Sequence, residues 1–367
     1  MRNQVDMKFK TNIMNKLIIV VFVVFAFWAI GNTGSEKPVG KQIKVLQINA
    51  WHGATTVPGG FKGLLGIIEQ IDPDIILLCE TKHNNINVVT KLVDTLKILG
   101  KTYYGETNNG SASLMSKYPI ESANTCCASE VQGPMAKAYI SIEGHTLAVY
   151  SAHLDYKHYE CYLPRGYSGV SWKKIASPID NADSILKANR LSERDESISA
   201  FVKDAKVEIE KGNLVLLGGD FNEPSHMDWQ ADTKDIRDHN GLVIHWDCSV
   251  MLSEMGMIDS YRQKFPDAVK YPGFTFPSAN NAVPVDKLTW APEADERDRI
   301  DFIYYYPNSA WSLSNVSIVG PEETIVRGKV KERDSEDSFI VPTGIWPTDH
   351  KANLATFMIE RSMTSKK

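Results

Sequence analysis

The sequence predicts an α/β domain in which short buried strands alternate with helical segments. Three observations predict this class: short apolar runs recur from residue 43 onward, segments with helical periodicity lie between them, and no linker divides the region. The chain has 367 residues, of which 43% are apolar and 23% charged. This composition permits a large core and excludes disorder, collagen-like repeats and a polytopic membrane protein.

The first elements follow from local patterns. Ile43–Ile48 and Ile75–Cys79 are short apolar runs typical of strands. Leu64–Ile71 has the spacing of an amphipathic helix, and Asp72-Pro73-Asp74 predicts the turn that follows it. The same apolar signal predicts six later strands: Ala112–Ser116, Ala138–Ile142, Leu147–Ser151, Leu214–Leu217, Ile300–Tyr306 and Asn353–Ile359.

A long helix is predicted from Ser192 to Lys211, because Gly212-Asn213 supplies a suitable end. Three connections, at residues 155–180, 223–247 and 270–298, carry no regular pattern and are unusually long. Loops of this length in an α/β domain commonly contribute to binding sites.

The N-terminus has the pattern of an export signal. Lys8, Lys10 and Lys16 precede the apolar run Leu17–Ile30, after which the chain becomes small and polar. This run is shorter than the roughly 20 residues that span a bilayer comfortably. We predict a signal peptide or an N-terminal anchor at 1–31 and a linker at 32–42. The protein is then exported to the periplasm or extracellular space, with membrane attachment only through an uncleaved segment.

The charge balance does not favour nucleic acid as a partner. There are 40 Lys and Arg residues against 45 Asp and Glu, a net charge of −5, and the basic N-terminal segment makes the remainder more acidic still. Nonspecific binding of nucleic acid requires cations that neutralise phosphates. A local basic groove stays open as an alternative.

The cysteines indicate neither a disulfide framework nor a zinc site. There are five, an odd number, and their spacing matches no known framework. Cys79 lies inside a strand-like run, where a small core residue is expected.

Polar residues follow the predicted strands at the points where the strands end: Asn49, Glu80, His153, and Asp220 with Asn222. The carboxyl ends of such strands lie together in α/β enzymes, so these side chains are expected at one site. In Gly218-Gly219-Asp220, the glycines would let the backbone approach a ligand. Each residue also has a structural alternative: a turn for Asp220 and Asn49, and a helix cap or a surface ion pair for Glu80.

Seven motifs occur in the order found in the endonuclease/exonuclease/phosphatase superfamily, and the chain resembles that superfamily over roughly residues 43–360. The motifs are Gln47–Trp51 with Asn49, Leu78–Glu80, Ser111–Ile120, His153-Leu154-Asp155, Gly219–Asn222, Arg299-Ile300-Asp301 and Asp349-His350. Members include pancreatic-type deoxyribonucleases, abasic-site endonucleases, neutral sphingomyelinases and inositol polyphosphate 5-phosphatases. The resemblance implies a four-layer α/β/β/α sandwich of two packed mixed β-sheets flanked by helices, a catalytic domain at 43–360 and a polar tail at 361–367.

The resemblance also implies a metal site formed by Asn49, Glu80 and Asp349. Clustered carboxylates would repel one another unless a cation neutralised them. Oxygen ligands without thiolates favour a hard ion, so Mg²⁺ is the expected cofactor, with Mn²⁺ or Ca²⁺ as alternatives.

Catalytic roles follow from the resemblance residue by residue. Asp220 would orient or deprotonate the attacking water, and Asn222 would donate a hydrogen bond to the phosphoryl group. Asp301 would orient His350, and His153 would supply a second imidazole. Which histidine acts as acid or base stays open, because their pKa values would be coupled.

Two aromatic segments are candidates for substrate binding. The loop from Tyr156 to Tyr167 includes Arg165, which could grip a phosphate in a fork. Trp290 and the Phe274–Phe276 segment form a second candidate wall. The alternative for the first is a packed surface loop. Aromatic stacking suits nucleobases, sugars and lipid head groups alike.

Three functions stay open at this point. The first is an exported, metal-dependent phosphodiesterase acting as a monomer on a small, lipid-linked or sugar-linked phosphate ester. The second is an extracellular nuclease acting on DNA or RNA, and the third is a binding protein without catalysis. The acidic balance and the export signal favour the phosphodiesterase.

Overall fold

Two β-sheets pack face to face in the computed structural model, which describes residues 40–84, 86–108, 110–127 and 133–362. The predicted signal peptide or anchor at 1–31 lies outside these residues. So do most of the linker at 32–42 and all but the first two residues of the tail at 361–367. In the described part of the chain, no helix is both long enough and apolar enough to cross a membrane.

Seven strands form the first sheet of the described region. In spatial order they are β16 (Phe339–Ile340), β13 (Trp311–Val319), β17 (Ala352–Glu360), β1 (Gly40–Asn49), β2 (Ile75–Cys79), β6 (Ser113–Ser116) and β5 (Tyr104–Thr107). Strands β1 and β2 are parallel, whereas β1 pairs with β17 in the antiparallel sense. The sheet is therefore mixed.

Six strands form the second sheet among the described residues. In spatial order they are β11 (Ile258–Asp259), β12 (Asp301–Tyr305), β10 (Leu214–Asp220), β9 (His145–His153), β8 (Met135–Ile142) and β7 (Ile120–Cys126). Strands β9 and β10 are parallel and the others pair in the antiparallel sense. Two further strand pairs belong to neither large sheet. They are β3 (Lys82–His83) with β4 (Ile86–Asn87), and β14 (Thr324–Val326) with β15 (Lys329–Lys331).

Helices cover the outer face of each sheet. The first sheet is covered by Gly60–Ile71 and Val88–Ile98, and the second by Arg194–Glu210 and Asp247–Met255. Two further helices, Ala182–Asn189 and Ser260–Lys264, lie elsewhere. The alternation of side chains along β2 shows how the layers form. Ile75 and Leu77 face the core between the sheets, whereas Ile76 and Leu78 face the helices. This arrangement confirms the predicted four-layer sandwich.

The parallel strand pairs bring the predicted polar residues to one edge of the sandwich. Strand β1 ends at Asn49, next to the end of β2, and the register of β9 and β10 sets His153 beside Asp220. On the other side of β10, Asp301 pairs with Asp220. Hydrogen bonds between the sheets, such as that from Cys79 Sγ to the Ala152 carbonyl (3.0 Å), fix this edge.

Gly218 and Gly219 pack against protein and do not make room for a ligand, contrary to the expectation from sequence. A Cβ at Gly219 would lie 1.8 Å from the carbonyl oxygen of Ala152 on the neighbouring strand, and one at Gly218 would lie 2.5 Å from Leu77. The two glycines therefore allow the strands and sheets to approach closely.

Gly219→Ala is expected to lower the free energy of unfolding by about 3 kcal/mol, because the new methyl group can only fit if the strand moves. Urea denaturation followed by circular dichroism measures this loss. Gly66→Ala is the matched control. No atom lies within 4 Å of a Cβ at that helical position, so the variant should be as stable as the wild type or slightly more so. Equal stability of Gly219→Ala and Gly66→Ala would contradict the packing role.

Candidate active site

An aspartate–histidine pair lies at the centre of the site edge. His350 Nδ1 donates to Asp301 Oδ2 at 2.8 Å, and Gln47 Nε2 donates to Asp301 Oδ1 at 2.8 Å. Asp301 is fully buried, so these bonds fix its orientation. The other nitrogen of His350, Nε2, then points towards Asp220, with 3.8 Å to Oδ2. Asp301 thus holds the imidazole with one nitrogen free for chemistry.

Nearby negative charge favours the protonated form of His350. Burial acts to lower the pKa of His350, but the negative charges of Asp301 and Asp220 outweigh it and hold that pKa well above its usual value. A protonated imidazole can donate a hydrogen bond or a proton to an oxygen of a bound phosphate.

Asp220 lies between two imidazoles. Its Oδ2 is 3.8 Å from His153 Nε2 and 3.8 Å from His350 Nε2, and its Oδ1 accepts from the Asn222 backbone N–H at 2.9 Å. Burial and the charge of Asp301 raise the pKa of Asp220 to about 6. A carboxylate with this pKa can accept a proton from water near neutral pH.

His153 and Asn222 flank this carboxylate. His153 Nδ1 lies 2.7 Å from the hydroxyl oxygen of Ser111, which fixes the ring and leaves Nε2 towards Asp220. The side-chain amide of Asn222 donates to the Leu154 carbonyl at 3.0 Å. Both residues line the cavity described below.

Glu80 and Asp349 are two further carboxylates at this edge. Burial acts to raise the pKa of Glu80, but His153 and His350 outweigh it and lower that pKa. For Asp349, burial and the negative charge of Glu80 raise the pKa to about 7. Their mutual repulsion in a shared cavity is a charge arrangement that a divalent cation would relieve, and their oxygen atoms are suitable ligands.

Asn49 forms hydrogen bonds with two of the carboxylates at this edge. Its amide nitrogen donates to Glu80 Oε1 at 3.1 Å and to Asp220 Oδ2 at 3.0 Å, and its oxygen accepts from the Trp51 backbone N–H at 2.9 Å. The amide nitrogen cannot bind a cation, whereas the oxygen keeps a second lone pair that a cation could use. Asn49 therefore positions two carboxylates, and its role as a metal ligand stays a prediction.

Asp220, Asp301 and His350 also place ligand atoms within 4.8 Å of one another, a spacing that a metal ion could occupy. Asp301, however, is fully buried and does not line the cavity. Glu80 and Asp349 do line it. Asp220, Asp301 and His350 are better explained as a hydrogen-bonded relay. Glu80 and Asp349 are more accessible to a hydrated ion.

These groups open into a cavity of about 450 Å³. The residues that line it, besides those already described, are mostly aromatic or polar: Trp51, His52, Lys82, Ser111, Tyr156, Tyr159, Tyr162, Trp172, Phe276, Trp290 and Ile300. Trp290 was a predicted wall residue and does line the cavity. Trp172 was not predicted, because nothing in its local sequence distinguishes it from a loop residue.

Two residues of the predicted substrate site, Arg165 and Tyr167, do not line this cavity. The guanidinium of Arg165 is completely buried and bonds both oxygens of Asp298, which also accepts from Trp229 Nε1 at 3.2 Å. The hydroxyl of Tyr167, a buried residue, accepts from the Glu293 backbone N–H at 3.1 Å. Both side chains hold the loops together, as the alternative of a packed surface loop predicts.

Arg165→Ala is expected to lower the free energy of unfolding by about 3 kcal/mol, because it leaves the Asp298 carboxylate buried without its cation. Chemical denaturation measures the loss. Arg190→Ala removes an ion pair whose arginine is half exposed, and it should change stability by less than about 1 kcal/mol. If Arg165→Ala had normal stability but bound substrate more weakly, Arg165 would have the substrate-binding role and not the structural one.

The cysteines carry no disulfide in the structure, and all five are described and free. Cys79 is fully buried in a strand, as predicted.

A model of the Endonuclease/Exonuclease/phosphatase family matches residues 46–350. An uncharacterized protein of Caenorhabditis elegans is 26% identical over 267 residues, which cover 72% of this chain and 78% of that protein.

Two solved structures also match most of the chain. One is an endonuclease/exonuclease/phosphatase family protein from Leptotrichia buccalis, with 15% identity, coverage of 85% of this chain and 98% of that chain, and a TM-score of 0.47. The other is TDP2 from D. rerio complexed with a single-strand DNA product, with 13% identity, coverage of 86% and 99%, and a TM-score of 0.48.

Proposed function

Because the chain belongs to the endonuclease/exonuclease/phosphatase family, we propose that it is a divalent-metal-dependent phosphodiesterase. The observation that carries this proposal is the position of Asp220 between His153 and His350, with Glu80 and Asp349 at the same cavity. A base, two imidazoles and a pair of carboxylates around one cavity suit the attack of water on phosphorus.

The residues have the following roles in this proposal. Asp220 accepts a proton from the attacking water as the new P–O bond forms. Protonated His350, oriented by Asp301, donates a hydrogen bond to a phosphoryl oxygen. His153 gives a proton to the ester oxygen that leaves as the second P–O bond breaks, and Asn222 orients the phosphoryl group.

Glu80 and Asp349 would hold the metal ion, for which Mg²⁺ is the first choice. When bound, the ion would polarise a phosphoryl oxygen and neutralise charge that develops during the reaction. Asn49 bridges Glu80 and Asp220 through two hydrogen bonds from its amide nitrogen.

A substrate panel tests this proposal. Bis(p-nitrophenyl) phosphate, p-nitrophenyl phosphate and plasmid DNA are each incubated with the protein and Mg²⁺. We expect the diester to be hydrolysed at least tenfold faster than the monoester, and plasmid DNA to remain largely intact. Rapid digestion of plasmid would establish a nuclease instead, and failure to hydrolyse any of the three would favour a binding protein.

We also propose that the protein acts outside the cytoplasm, on the strength of Lys8, Lys10 and Lys16 before the apolar run Leu17–Ile30. Expression of the full chain in a bacterial host, followed by cell fractionation and N-terminal sequencing, tests this. A cleaved product in the periplasm or medium is expected, and an uncleaved cytoplasmic protein would contradict it.

A further inference from the structure

Five aromatic residues from two loops line the cavity, and the rings of four of them are in contact. This aromatic wall comprises Tyr156, Tyr159, Tyr162, Trp172 and Trp290. The ring centroids of Trp172 and Trp290 are 5.8 Å apart, and Trp172 lies 5.7 Å from Tyr162. At such distances the rings contact one another. Near the catalytic groups the aromatic lining ends at Phe276, whose ring is 4.9 Å from that of His350.

The two tryptophans are held in positions that packing alone does not favour. Trp290 is 50% exposed, although burying an indole is strongly stabilising. Trp172 has a φ of 59°, in the left-handed region that bulky residues rarely adopt. Exposure and backbone strain of this kind concentrate at ligand sites, where the surrounding structure maintains them.

A buried carboxylate fixes the loop that carries Trp290. Glu296 is 1% exposed and accepts four hydrogen bonds from the wall and its loop: from the hydroxyls of Tyr162 and Thr289 and the backbone N–H groups of Trp290 and Ala291. The backbone at Trp290 is thus tied to the Tyr162 side chain. A rigid wall loses little entropy when it binds a flat group.

The charge of the cavity limits what can bind. Among the described residues that line it, Lys82 is the only lysine or arginine, whereas Glu80, Asp220 and Asp349 are acidic. A substrate with several phosphates would need several cations to neutralise it. The cavity therefore suits a single phosphodiester whose organic groups carry no further negative charge.

We propose that the aromatic wall is a subsite for an uncharged, flat-faced ring, a nucleoside or a pyranose, carried on one ester group of the phosphodiester. This inference rests on the proposed function, because it assumes that the phosphate lies at Asp220 and His350. Trp172 and Trp290 then determine which ester is selected, and Glu296 is a positioning residue for Trp290.

Four substrates with the same p-nitrophenolate leaving group test the subsite. They are p-nitrophenyl phosphodiesters in which the second ester group is methyl, choline, thymidine (through its 5′ oxygen) or glucose (through its 6 oxygen). Because the leaving group is constant, differences in kcat/KM report the second group. We expect the thymidine or glucose ester to exceed the methyl ester at least tenfold, and the better of the two identifies the ring.

Variants of the wall give the decisive result. Trp290→Ala should raise KM for the preferred ring ester about tenfold or more while changing kcat/KM for the methyl ester less than threefold, and Trp290→Phe should restore most of the loss. Tyr104→Ala is the control, since Tyr104 is exposed but does not line the cavity. Equal losses for ring and methyl esters, no loss at all, or a preference for the choline ester would each overturn the proposal.

A binding measurement separates this inference from the proposed function. Thymidine and methyl glucoside are titrated into the wild type and Trp290→Ala, with isothermal titration calorimetry as the readout. If no ester is hydrolysed, the phosphodiesterase proposal fails, and ring binding that Trp290→Ala weakens would still support the ring subsite. Hydrolysis of the esters without any ring binding would overturn the subsite alone.

Discussion

Asp220→Asn is expected to lower kcat for bis(p-nitrophenyl) phosphate by about a thousandfold while leaving the fold intact. Asparagine has the same shape and can still accept the hydrogen bond from the Asn222 backbone. It cannot take a proton from water, and general base catalysis typically contributes 10²–10⁴-fold. Steady-state kinetics and a thermal melt measure the two effects. Asp72→Asn, at an aspartate outside the cavity, is the control and should retain full activity.

The pH dependence gives a second signature of the same residue. Burial and Asp301 raise the pKa of Asp220 to about 6. The base works only when deprotonated, so kcat/KM should fall as the pH drops below about 6. A bound cation favours the charged form, which would move this midpoint lower and not higher. If Asp220→Asn kept near-full activity and showed the same fall of kcat/KM at low pH as the wild type, the role of Asp220 would be contradicted.

His350→Ala is expected to lower kcat by a hundredfold to a thousandfold, because it removes the protonated donor that faces the phosphate. It also leaves the buried Asp301 carboxylate without its imidazole partner, so some loss of stability is expected. His350→Gln separates the two effects. A glutamine can donate to Asp301 and preserve the fold, but it cannot carry a proton to the substrate.

His145 supplies the matched control for this prediction. It lies at the other end of β9 from His153, and its Nε2 is 3.1 Å from the Glu360 carbonyl oxygen. His145→Ala should keep wild-type kcat. If His350→Gln were folded and also kept near wild-type kcat, His350 would not take part in catalysis.

The layers of the fold could be predicted from local patterns where these were strong. The bounds predicted for β2, Ile75–Cys79, match the structure, because an apolar run between turn residues has few other solutions. The helix Val88–Ile98 was not predicted, since its β-branched start obscures a helical pattern of buried residues that Asn87 caps. Strand β7 was also not predicted. Most of its residues are exposed, and its pairing with β8 is what defines it.

In the site, too, some features could be predicted from local sequence and others could not. Asp220 and His153 could be predicted to meet, because each ends a strand and the strands are parallel. The substrate-binding role given to Arg165 was wrong, because its partner Asp298 is far away in sequence and no local pattern reveals a buried ion pair. Trp172 was not predicted because its place on the wall depends on how separate loops pack.

Restoring metal to depleted protein is the most direct test of the central claim, that Glu80 and Asp349 hold a divalent cation beside Asp220 and His350 for phosphodiester hydrolysis. The protein is stripped with EDTA, and hydrolysis of bis(p-nitrophenyl) phosphate is followed as Mg²⁺ is added back. The wild type should be inactive without metal and regain full activity with it, whereas Glu80→Gln should need at least tenfold more Mg²⁺. Hydrolysis that EDTA does not affect, or a Glu80→Gln variant with the same Mg²⁺ requirement as the wild type, would contradict the account.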